Sequence, residues 1–118
     1  MAHTDFRTGL QNASEIDITV TGRTSGRTHS YPIWFTLEGD KLYLLPVRGS
    51  DTDWYKNLHK RPSICLEARG KTFTTSARLL TDEAQVGEVA QKFRDKYGVG
   101  QVKAYYPKLD VAVEVPLK

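Results

Sequence analysis

Arginine, glycine and hydroxyl side chains occur together at two places in this sequence, and that combination suits an anion. The first is "TGRTSGRTH", Thr21 to His29. Gly22 and Gly26 permit positive φ, so backbone N–H groups can converge. Around them stand Arg23, Thr24, Ser25, Arg27 and Thr28, a set of charged forks and hydroxyl donors fit for a phosphate or carboxylate. The second is "PVRGSDTDW", Pro46 to Trp54, where Arg48, Gly49 and Ser50 precede a helix start. A helix N-terminus adds unpaired N–H groups and a positive dipole end. Taken singly, the first is equally a solvated hairpin loop. The second is equally an ordinary strand-to-helix turn whose donors are satisfied by Asp51 or Asp53. Their joint presence in one small chain, each leaving a strand end, favours a ligand cradle.

Other chemistries lack their residues. No carboxylate pair is marked out by context, and neither GxSxG nor GxGxxG occurs. The single cysteine, Cys65, lies in "SICLEA" and reads as a small buried core residue. His3, His29 and His59 show no metal-ligand spacing. An enzyme with this inventory needs a bound cofactor to supply the reactive atom.

The elements that must carry these loops follow from periodicity. "EIDITVTG" alternates Ile16, Ile18 and Val20 with polar residues, as a half-buried strand does. "SYPIWFTLEGDKLYLLPV" reads as two strands about an "EGD" turn, and "SICLEARGKTFTTSARLL" as two more about "ARGK". In the latter, Thr72, Thr74 and Ser76 face one side and Phe73, Thr75 and Ala77 the other. "DVAVEVPL" alternates Val111, Val113 and Val115 as a last strand. Two helices interrupt them. "DTDWYKNLHKRP" puts Trp54, Tyr55 and Leu58 on one face and ends near Pro62, and "TDEAQVGEVAQKFRDKYG" repeats Val86, Val89, Ala90, Phe93 and Tyr97 before Gly98. The expected fold is α+β and mainly β, an antiparallel barrel-like domain of about six strands with two inserted helices. It would occupy residues 15–118, behind a polar N-terminal arm at 1–14.

The chain has 118 residues, enough for one domain, with 17 Lys and Arg against 14 Asp and Glu. A net charge of +3 helps attract an anion but lacks the basic density of a nucleic-acid partner. The N-terminus carries no apolar leader and no run approaches the ~18 residues of a membrane span, so the expected location is cytoplasmic.

With these two loops in this order, the sequence resembles the split β-barrel flavin/deazaflavin oxidoreductases, the deazaflavin-dependent nitroreductase group above all. That group carries a TGRxSGxxR-like loop after a strand, then a Pro-apolar strand, a hairpin, a Lys/Arg element and a WYxNLxxxP helix. Here these stand as "ITVTGRTSGRTHSYPIWF" and "GDKLYLLPVRGSDTDWYKNLHKRP", and the likeness runs over roughly residues 16–116. It implies an antiparallel split β-barrel, a homodimer, and coenzyme F420 as cofactor, with FMN the alternative. By position it assigns Arg23, Thr24, Ser25, Gly26 and Arg27 to the anionic end, with His29 close to where relatives place a further Arg or Lys. Arg48 matches the phosphate-contacting cation, and Gly49, Ser50, Trp54 and Asn57 join the second cofactor loop. Pro32, Ile33 and Trp34, with Leu45, Pro46 and Val47, would lie beside the ring. The implied reaction is hydride transfer from reduced F420 to an electron-poor alkene, quinone or nitro compound. Tyr105, Tyr106 and Tyr31 are the candidate proton donors or substrate contacts. The alternative readings are an FMN oxidoreductase and a non-catalytic flavin, haem or fatty-acid binding module.

Overall fold

The computed structural model describes residue 10, residues 13–68 and residues 70–117. The polar arm therefore lies almost wholly outside the described residues, as does Arg69 of the "ARGK" turn.

Ile16–Thr21 (β1) enters the core through Ile16, Ile18 and Val20, all at most 2% exposed, as the period-2 pattern requires. It hydrogen-bonds to Thr28–Ile33 (β2) on one side and to Ser63–Ala68 (β5) on the other, and Lys71–Ser76 (β6) completes a four-stranded antiparallel sheet in the order β2-β1-β5-β6. The second sheet holds Thr36–Glu38 (β3), Lys41–Leu44 (β4), Arg78–Leu80 (β7) and Ala112–Pro116 (β8) in the order β3-β4-β8-β7, again antiparallel. The two sheets are not hydrogen-bonded into a closed barrel among the described residues.

Eight strands replace the expected six for one physical reason. Two of the strand-like runs turn a corner and pass from one sheet to the other. The first breaks at Trp34 and Phe35, between β2 and β3, and the second at Ala77, between β6 and β7. Alternation persists through each corner, so the sequence pattern does not register it.

The second sheet is the middle layer. Leu42 and Leu44 of β4, with Val113 and Val115 of β8, face the first sheet. Tyr43 and Ala112 face away, into a second cluster with Leu80, Val86, Val89, Phe93, Val102 and Tyr106. Burial on both faces makes "KLYLLPV" a continuous apolar run. Glu114 shares that second face and is buried, with Lys41 at 3.5 Å and Arg78 at 3.8 Å compensating its charge.

Three helices are present among the described residues, one more than the pattern predicts. Asp53–Lys60 (α1) buries Trp54, Tyr55, Asn57 and Leu58, so it closes the first core. Glu83–Tyr97 (α2) is capped by Asp82, whose carboxylate accepts from the Gln85 N–H at 3.1 Å, and stops at Gly98 with φ +100°. Val99–Tyr105 (α3) follows at once and buries Val102. At seven residues it is too short for a helical repeat to stand out.

The outer face of the first sheet is also not as expected at Cys65. The thiol is half-buried there, in register with Thr19 and Thr74, because the inward positions of β5 are Ile64 and Leu66. Thr72, Thr74 and Ser76 face outward on β6 as the alternation predicts.

Candidate functional site

The β1–β2 loop is built by its own short hydrogen bonds. Gly22 N–H donates to the Arg27 carbonyl at 2.6 Å, and Gly26 N–H to the Gly22 carbonyl at 3.1 Å. Gly26 takes φ +75°, a conformation costly for other residues. The Ser25 hydroxyl accepts from the Arg27 N–H at 3.2 Å and keeps its own proton to donate. Gly22 is hemmed in: a Cβ there would lie 3.0 Å from Ser25 Oγ and 3.1 Å from His29 Nε2.

Arg23 fastens this loop to α1. Its backbone N–H donates to Asn57 Oδ1 at 3.1 Å, and its Nη1 donates to the same oxygen at 2.7 Å. The guanidinium also reaches the Asp53 carbonyl at 3.4 Å and the Asp53 carboxylate at 3.9 Å. Loop and helix thereby wall a concavity of about 240 Å³ lined by Thr24, Ser25, His29, Tyr31, Asp53 and Asn57, among others. A wider groove of about 510 Å³ adjoins Arg23, with Ser50, Lys56, His59 and Lys60 at its rim above Tyr55 and Val111. The side chains of Arg27, Arg48, Lys56 and Lys60 have no hydrogen-bond or ion-pair partner among the described residues.

The second loop is tied down from an unforeseen direction. Gly49, Ser50 and Asp51 form a 3₁₀ turn, and both the N–H and the hydroxyl of Ser50 donate to Asp110, at 3.0 and 2.6 Å. Lys108 Nζ meets Asp51 at 2.9 Å. Thus Asp110, and neither Asp51 nor Asp53, takes the Ser50 donors. Thr52 does not cap α1 either, since its Oγ1 accepts from the Arg48 N–H at 2.8 Å. Gly49 is buried at φ +56°, and a Cβ there would strike the Asp110 carboxylate and Lys108. Burial raises the Asp110 pKa, but the two bonds from Ser50, its own backbone N–H and Lys108 outweigh burial, and the net shift is downward. No local signal marks Asp110, which lies 60 positions from Ser50.

The residues assigned to the ring divide differently. Pro32 is exposed on β2 opposite Asp17, and Ile33 is half-buried against the first core. Leu45, Pro46 and Trp54 are buried, which makes them packing residues, and Val47 is half-buried against the second core. Trp34 stands beyond the far end of β2. At ~3.3 Å per extended residue it is roughly 23 Å along the chain from Arg27. There it stacks on Tyr97 with centroids 4.2 Å apart and tilts against Tyr105 at 4.6 Å. Tyr105 is 48% exposed, whereas Tyr106 is buried.

Two of these tyrosines hold their protons tightly. Tyr97 is pushed up to about 12 by burial. Its hydroxyl accepts from the Phe35 N–H at 3.1 Å and faces the Ser14 and Phe35 carbonyls at 2.8 and 2.9 Å. Burial raises Tyr106 further. Tyr31, within β2, lines the concavity.

Several solved structures share this fold. An F420-H2 dependent reductase (FDR-A) superposes with TM-score 0.68 at 20% identity, over 86% of this chain and 93% of that one. A protein described as a domain-swapped dimer gives 0.67 at 19% identity, over 95% and 93%. The haem storage protein HutZ of Vibrio cholerae gives 0.72 at 12% identity, over 98% and 88%. Among curated proteins no sequence matches. The family model of the F420H(2)-dependent quinone reductases matches residues 3–116, nearly the whole length. The chain accordingly belongs to that family, and is an oxidoreductase that works with coenzyme F420.

Proposed function

We infer that the protein reduces a quinone-class acceptor with reduced F420, and that the cradle of the β1–β2 loop holds the cofactor's anionic end. The observation that carries this reading is the set of donors left uncommitted there. The Thr24 and Ser25 hydroxyls and the Asn57 amide border one concavity, Arg27 belongs to the same loop, and none of these donor groups is used up within the described chain. Such a donor set fits a phosphodiester or carboxylate. Arg48 adds a free cation beside the second loop, whose own hydroxyl is already engaged by Asp110.

When bound and reduced, the deazaflavin supplies the hydride. The chain's residues orient, screen and protonate. The exposed ring of Tyr105, beside Trp34, is suited to stacking an aromatic acceptor. Reducing a quinone requires a proton as well. Tyr97 and Tyr106 are held protonated and inward, which leaves Tyr105, Tyr31 or solvent to deliver it. We further read residues 15–118 as a single split-barrel domain behind the 1–14 arm, acting as a homodimer in the cytoplasm. The domain-swapped relative supports association. Among the described residues no helix is long and apolar enough to cross a membrane.

The test mixes purified protein with F420 and, separately, FMN, reading affinity by fluorescence. Oxidation of reduced F420 is then followed with a quinone, an activated alkene and a nitro compound. Micromolar F420 binding with fastest turnover of the quinone is expected. Preference for FMN, or no binding of either, would overturn the reading.

A further inference from the structure

Arg48 is held at its root and free at its tip. Its N–H donates to Thr52 Oγ1 at 2.8 Å, and its carbonyl accepts from the Asp51 N–H at 3.1 Å, so its backbone is committed within the 3₁₀ turn. The residue is otherwise exposed, and its guanidinium has no partner among the described residues. The turn itself hangs on a distant segment. Beyond residues 46–52, every hydrogen bond and ion pair of residues 49–51 among the described residues ends on Lys108 or Asp110. Asp110 grips one residue twice, Oδ1 accepting from the Ser50 N–H at 3.0 Å and Oδ2 from its hydroxyl at 2.6 Å. Two bonds to one carboxylate fix orientation as well as position. Only a glycine at position 49 lets that carboxylate come so close.

We propose that Asp110 is a positioning residue for cofactor binding: its grip on Ser50 sets the turn from which Arg48 reaches an anionic oxygen of the cofactor. The inference rests on the role given to Arg48 above and adds a residue that acts through the turn and not on the ligand. A carboxylate close to an anion site ordinarily repels the ligand. Here both oxygens are turned on Ser50, and Lys108 Nζ lies 3.8 Å from Oδ2, so the charge is spent inside the network. The sign of its removal is therefore diagnostic. Without a bystander carboxylate an anion would bind more tightly, whereas loss of a positioning carboxylate takes the Arg48 contact with it.

Asp110→Ala tests this by equilibrium titration of F420. Affinity should fall about tenfold, the lower end of what one charge-assisted hydrogen bond is worth. Asp110→Asn keeps an acceptor for the Ser50 N–H, should lose less, and remains the test where the alanine variant does not fold. Either role lowers thermal stability, so stability does not decide. The pairing with Arg48 does. Asp110→Ala combined with Arg48→Ala should bind no worse than Arg48→Ala alone, since both remove one contact. With a quinone as acceptor, KM for reduced F420 should rise in Asp110→Asn while kcat stays near wild type. Unchanged or tighter binding in the Asp110 variants, losses that multiply in the double variant, or a fall in kcat with KM unmoved would each overturn the proposal. If Arg48→Ala weakens binding and the Asp110 variants do not, this inference alone fails. If Arg48→Ala binds F420 as wild type does, or wild type binds none, the cofactor reading of the second loop fails and this inference with it.

Discussion

Arg23 and Arg27 lie four positions apart in one loop, and their surroundings give them different work. Arg23 has a buried amide oxygen and a carboxylate to satisfy it, and Arg27 has neither. A guanidinium without an internal partner is available to a ligand. Arg27→Ala and Arg48→Ala should therefore each weaken F420 binding by about 1.5–3 kcal/mol, the worth of a charge-assisted hydrogen bond, with thermal stability little changed. Equilibrium titration by fluorescence checks this, and unchanged affinity in both variants would show that the loops hold nothing anionic. The residue types of this cradle were legible in the sequence, but the division between its arginines was not. Arg23 and its partner Asn57 are 34 positions apart, and only the fold brings them within 2.7 Å. The same limit hid Asp110.

Among the elements, the second loop shows how a short segment is held by a distant one. Ser50 bonds to Asp110, Asp51 pairs with Lys108, and Gly49 makes room for both. Because the folded pKa of Asp110 is depressed, its contribution is fully present above the unfolded value of about 3.9. That contribution disappears as pH falls through the folded value. Thermal melts of wild type and Asp110→Asn should thus differ at pH 6 and converge as the pH is lowered below the ordinary carboxylate range. A constant gap down to pH 2 would assign the difference to packing. At the same scale, the strand and helix faces were readable because each repeats locally, as Ile16, Ile18 and Val20 do. The corners at Trp34 and Ala77 were not, since a bend alters the path of a strand while leaving its alternation intact.

Across the whole molecule, two cores are stacked on either side of one sheet, and the cradle rests on only one of them. Leu58 of α1 belongs to the first core, beneath the Arg23–Asn57 clasp, and Phe93 of α2 to the second. Leu58→Ala should cost about 2–5 kcal/mol and loosen F420 binding as α1 shifts. Phe93→Leu should cost less, about 1–1.5 kcal/mol, and leave affinity unchanged. Denaturant unfolding and cofactor titration on the same samples separate the two, and equal losses of affinity would show that the layers are coupled.

The corner at Phe35 sets how far such coupling can reach. Lys96 Nζ donates to the Phe35 carbonyl at 2.9 Å and sits 3.7 Å over its ring, while the Tyr97 hydroxyl accepts from the Phe35 N–H. One residue of the crossing is thus gripped at its carbonyl, its amide and its ring by the last turn of α2. A tug on β2 from its loop end would be stopped there, as a rope is at a cleat. At the other end of β2 the Arg23–Asn57 clasp holds the loop to α1, so the strand is made fast at both ends.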